Sequence, residues 1–116
     1  MSTTIAPETL FALVELGDNE AIAHWLEQFP TSREALLLTV YLVHRSYQYP
    51  ESDDQLMGVL RWAEIALEPF SNVAQAWACD IVSGYEIAYG RLDPEIWHRA
   101  RAQSFAKEPV LTTHGA

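Results

Sequence analysis

The sequence predicts an all-α protein of about six antiparallel helices stacked as helical hairpins. Three observations predict it. No segment alternates apolar and polar residues with period two, and β-branched residues do not cluster, so strands have no signal. Apolar residues instead recur three and four apart between punctuating prolines and glycines, the spacing of helices with one buried face. The connections are mostly two to five residues, which makes consecutive helices antiparallel neighbours. Residues 1–106 read as one helical domain, and 107–116 as a frayed tail.

Pro7 suits a first helical turn, and "ETLFALVEL" runs from there to Gly17, a glycine placed to cap the helix end. Asp18 or Asn19 opens the second helix, in which Ile22, Trp25, Leu26 and Phe29 share a face before Pro30 ends it. Thr31 and Glu34 form a capping-box pattern ahead of "REALLLTVYLVHR". That stretch has no charge between Glu34 and His44 and hardly any polar side, so it is expected at the centre of the fold, with Leu37, Leu38, Val40 and Tyr41 innermost. Ser52 and Gln55 repeat the capping logic for a fourth helix with Leu56, Leu60, Ala63 and Leu67 in one stripe, closed by Pro69. Ser71 or Asn72 starts the fifth helix, which carries Trp77, Ile81, Tyr85 and Ala88 along one side and ends at Gly90. Asp93 and Pro94 start a sixth, to about Phe105.

With 116 residues, 49% of them hydrophobic, the chain can bury a core without staples. Cys79 is the single cysteine, so no internal disulfide can form and a reducing compartment fits. The first ten residues lack the basic region and apolar run of a secretory signal. The longest uncharged apolar stretch, Ala35 to Val43, falls far short of the roughly 20 residues that span a membrane. A cytoplasmic location is expected. The net charge is −9, and residues 1–90 hold thirteen acids against Arg33, Arg45 and Arg61, a balance of −10. Such a body does not suit nucleic acid, whose phosphates demand basic patches. It permits a basic protein partner, while the main role expected of the charge is to keep a small hydrophobic protein in solution.

Trp25, Trp62 and Trp97 recur at intervals of 37 and 35 residues, a period that points to stacked helical hairpins. "GDNEAI" from Gly17 and "WAEIALEPFSNVAQAW" from Trp62 resemble tetratricopeptide-type helix pairs. Ala66 and Leu67 ahead of a helix-ending Pro69, with Trp77 early in the next helix, follow the order of such repeats. The resemblance covers about residues 17–90 and implies a scaffold that receives a peptide or an amphipathic helix. "EAIAHWLEQFPTSREA" further resembles short acidic helical proteins encoded beside bacterial secretion systems, among them an uncharacterised type VI-associated family. The small tetratricopeptide-like chaperones of type III systems share the size and architecture. These likenesses imply an adaptor or chaperone that purifies as a complex or a homodimer.

Chemistry has little foothold. Glu95 and His98 form half of a di-iron bundle motif, which needs a second copy and two more glutamates. Glu20 and His24 make an ordinary helix-surface pair. With no HExxH, no CxxC, no GxSxG and no phosphate-binding glycine loop, no metal, no cofactor and no enzymatic activity are expected. Cys79, beside Asp80 in an apolar helix, reads as a small core residue. Partner contact is expected at Tyr47, Tyr49, Glu51, Asp53 and Asp54, where tyrosines stand beside acids in the longest internal loop. A second expected contact is Trp97, Arg99 and Arg101, on the least acidic helix. Two functions follow: a non-catalytic adaptor or chaperone, or an acidic inhibitor of immunity-protein type that blocks a basic toxin or nuclease.

Overall fold

The computed structural model describes residues 5–88 and residue 111, and over these the regular structure is helical. Helix α1 spans Pro7–Leu16 and α2 spans Asn19–Ala23, running on without a break into a π turn over His24–Gln28. Helices α3, Arg33–Gln48, α4, Asp53–Leu67, and α5, Asn72–Ala88, complete the described set. The expected sixth helix, with Trp97, Arg99 and Arg101, lies outside the described residues.

Local chemistry sets the helix ends. Gly17 closes α1 at φ 72°, a left-handed conformation that costs glycine nothing. Its N–H reaches Val14 O while that of Asp18 reaches Leu13 O, so two orphan carbonyls are satisfied. Asp18 then caps α2 by accepting from the Ala21 N–H. The α3 cap is Ser32 rather than Thr31: its hydroxyl accepts from the Ala35 N–H at 3.1 Å and donates to Phe29 O at 2.7 Å. The second bond ties the cap to the π-turn exit, which selects Ser32 over its neighbour. Ser52 caps α4 as expected, and Ser71 accepts from the Ala74 N–H at the start of α5. Tyr47, expected in a loop, belongs to the last turn of α3.

The packing is organised around α3. Seven successive residues, Ala35 to Tyr41, are buried, and Leu36, Leu37, Leu38 and Tyr41 have no exposed surface at all. One face of α3 meets α1 and α5. There the rings of Phe11, Tyr41 and Tyr85 converge from three helices, with Phe11 stacked on Tyr41 at 4.4 Å and set edge-on to Tyr85 at 4.8 Å. Each such pair adds about 1 kcal/mol beyond the area it buries. Leu10, Ala74, Trp77, Ala78 and Val82 close the core around them. The opposite face of α3 carries Ala35, Thr39, Leu42 and Ser46 at helical spacing, toward the π turn and α4. Contacts therefore radiate mainly from α3, to α1, the π turn, α4 and α5, with α1 also meeting α2. Gln75 secures the turn between α4 and α5 by donating to Leu67 O and Phe70 O. Leu111, within the stretch expected to fray, packs on the core and accepts at its carbonyl from the Ser71 N–H at 3.1 Å.

Leu37→Ala is expected to cost about 2–5 kcal/mol in urea unfolding, because its cavity would open at the centre of the fold. Ile65→Ala, at a side chain 71% exposed, should stay within about 0.5 kcal/mol of the parent.

Candidate functional site

Between the α2–π segment and α4 the second face of α3 is incompletely covered. Two cavities open there. The larger, about 430 Å³, is walled by Ile22, Leu26 and Glu27 on one side and by Val59 and Trp62 on the other, over a floor of Leu42 and Ser46. The second, about 300 Å³, lies between Leu26 and Pro30 on one side and Trp62, Ile65 and Ala66 on the other, over Ala35 and Thr39. Leu26 and Trp62 line both, so the two form one groove along α3. Its outer lip carries apolar surface in water: Ile65 is 71% exposed and Trp62 37%.

The floor hydroxyls have no proton left to donate to a ligand, though their oxygens can still accept. Thr39 donates its hydroxyl to Ala35 O at 2.7 Å, and Ser46 donates to Leu42 O at 2.9 Å, so both turn their polar atoms into their own helix. The wall at the π turn is stiffened by His24, Trp25 and Phe29, whose ring centroids are each 5.4 Å from the other two. A π turn widens the helix by one residue, and here that widening carries Leu26 and Glu27 to the groove.

The expected contact residues at the end of α3 form a separate patch. Tyr47 and Tyr49 are 61% and 57% exposed, and Glu51, Asp53 and Asp54 are exposed beside them. Arg45 sits 5.2 Å from the Tyr49 ring and 5.8 Å from that of Tyr41, which holds the chain as it leaves the helix. A shallow cavity of about 240 Å³ lies beneath, lined by Arg45, Tyr49, Glu51 and Gln55 over Leu42 and Leu56. Asp53 and Asp54 occupy the first turn of α4, where the helix dipole favours them. The groove was missing from the expected contacts. Its signal was present: Trp62 and Ile65, three residues apart, fall off the Leu56–Leu60–Ala63–Leu67 stripe and have no place in the core.

Most polar groups in the interior are occupied structurally, Gln48 Oε1 being buried without a hydrogen-bond partner among the described residues. Tyr85 donates to Glu15 Oε2 at 2.7 Å and Tyr41 to the same oxygen at 3.3 Å. Burial raises the Tyr41 phenol above its ordinary range, against a lowering by the Arg45 hydrogen bond and with a further push from Glu15 and Glu86, so it stays a donor. Glu86 is fully buried, with His44 Nδ1 3.3 Å from its Oε1. Cys79 is exposed, not in the core; the buried residue is its neighbour Asp80. Helix α5 turns Trp77, Ala78, Val82 and Tyr85 inward, and Cys79 lies off that stripe. Partial desolvation, then the Asp80 charge, raises the Cys79 thiol, which disfavours a thiolate. Among the described residues no three His, Cys, Asp or Glu side chains gather as a metal site, and no described helix is long and apolar enough to cross a membrane.

Burial also raises the Asp80 carboxyl above its ordinary range. A carboxyl with a folded pKa above its unfolded one holds its proton more tightly when folded. Its contribution to stability is fully present below the unfolded value of about 3.9 and is lost as pH rises through the folded one. Asp80→Asn removes that loss. Urea unfolding from about pH 4 to pH 7 is expected to show the variant gaining on the parent as pH rises.

Comparison with protein-family models, with curated proteins and with solved structures finds no match for this chain.

Proposed function

We propose that the protein is a non-catalytic interaction module, a small adaptor or chaperone that holds a segment of a partner protein. The open groove over α3 carries this reading. A lip with Ile65 71% exposed and Trp62 37% exposed is apolar surface that water solvates poorly, next to cavities that would accept apolar side chains. The hairpin-repeat architecture is part of the proposal. In it α1, α3 and α5 form one layer and the α2–π segment and α4 the other, which is consistent with α3 meeting α1, α5, α4 and the π turn.

Ile65→Glu places a charge on the lip at a site that is not in the core. In affinity capture from the native host, this variant is expected to lose the proteins retained by the parent while its thermal unfolding is unchanged. Equal capture by both counts against the module.

The tyrosine–acid patch favours a second reading, an inhibitor of a basic protein. Exposed Tyr47 and Tyr49 beside Glu51, Asp53 and Asp54 combine an aromatic anchor with charge that steers a basic partner. Asp53→Lys with Asp54→Lys is expected to slow association about tenfold or more at low salt, with little change at high salt. Association that ignores both the variant and the salt rules this reading out.

A further inference from the structure

We infer that the occupant of the groove is an amphipathic α-helix with basic residues flanking its apolar stripe, lying along α3 between the α2–π segment and α4. The inference rests on the module reading above and names its ligand.

The occupant is a helix because of what the walls lack. An extended peptide must find partners for its backbone N–H and C=O groups. The groove is made of helices whose backbone groups already bond within themselves, and the hydroxyl protons of Thr39 and Ser46 are committed to Ala35 O and Leu42 O, so the floor has no donor for a ligand's carbonyls. An extended segment pressed on the floor would bury unpaired carbonyls, at about 1–3 kcal/mol each. A helix satisfies its own backbone and offers the groove only side chains. The two cavities, separated by the Leu26–Trp62 constriction, take large apolar side chains from successive turns, the i, i+3, i+4, i+7 pattern of a helix seated in a groove.

Charge selects the flanks. Glu20 and Glu27 are exposed on the α2–π side, and Glu27 lines the larger cavity. Asp53, Asp54 and Glu64 are exposed on α4, against Arg61, the one base of that helix. The elements that wall the groove are therefore net acidic, as are residues 1–90 with their balance of −10. An acidic helix would be repelled there, and a neutral one would forgo the steering that the rim provides.

The test uses the full chain and three synthetic peptides of about 18 residues, enough for a marginally stable helix. One has a leucine stripe flanked by lysines. One has the same stripe flanked by glutamates. The third is the lysine peptide with a central proline. Fluorescence anisotropy is expected to show the lysine peptide binding about tenfold or more tightly than either control, and weakening about tenfold from low to high salt. Ile65→Glu and Trp62→Ala are each expected to weaken it about tenfold, with unchanged circular dichroism. Equal binding of the proline peptide overturns the helix, and equal binding of the glutamate peptide overturns the basic flanks. Failure of the lysine peptide to bind overturns both. A dimer in sedimentation that Ile65→Glu converts to monomer makes a second copy the occupant and overturns the inference. If host capture depends on Ile65 while the peptides are not discriminated, the module stands and the basic-helix occupant falls. If capture does not depend on Ile65, the module falls as well.

Discussion

The structure depends on the burial of α3 from both sides. A helix with Leu36, Leu37, Leu38, Val40, Tyr41, Leu42 and Val43 in near succession has no face to give to water, so it is stable only as the middle of a layered array. That requirement places α1 and α5 against one side and the α2–π segment and α4 against the other. The groove has the same origin. On the first side Phe11, Tyr41 and Tyr85 knit three helices into one cluster. On the second side the two rods that cover α3 leave a gap between their facing side chains, Leu26 and Trp62, and the apolar helix is sealed only as far as these two reach.

The polar side of the molecule follows from its charge. Most of the thirteen acids of residues 1–90 are exposed, several in first helical turns where the dipole favours them. Two acids are drawn into structural contacts: Glu15, though exposed, accepts from Tyr41 and Tyr85 at the edge of the aromatic cluster, and Glu86 lies buried against His44. These contacts fix how α1, α3 and α5 are rotated relative to one another, a specification that apolar packing alone leaves looser.

Much of the fold was legible because it is local. Prolines 7, 30 and 69, glycine 17 and capping side chains such as Asp18, Ser52 and Ser71 mark the five described helices, and the apolar run of α3 announces its central place. The misplacements have physical reasons. Thr31 and Ser32 are equally able caps, and the choice falls to Ser32 because its hydroxyl also reaches Phe29 O, a bond that depends on the π-turn exit. Cys79 was assigned inward from the apolar company in "WACDIV", yet the stripe of Trp77, Ala78, Val82 and Tyr85 leaves it facing out. The groove needed the most distant information. That Trp62 and Ile65 are off the core stripe can be read from α4 alone, but that Leu26 stands opposite them depends on two helices far apart in sequence meeting over a third.

The π turn at His24–Gln28 gives that opposing wall an unusual property. Each residue advances a helix by about 100°, so the direction in which Leu26 and Glu27 point is set by a count of residues rather than by a continuously adjustable angle. Removing one residue there would return the segment to ordinary α geometry and swing the wall away from α4 in a single step. Substitutions could retune the groove's chemistry by degrees. The direction of its π-turn wall changes by whole residues, through insertion or deletion, which makes chain length at this turn a determinant of the groove's shape alongside residue identity.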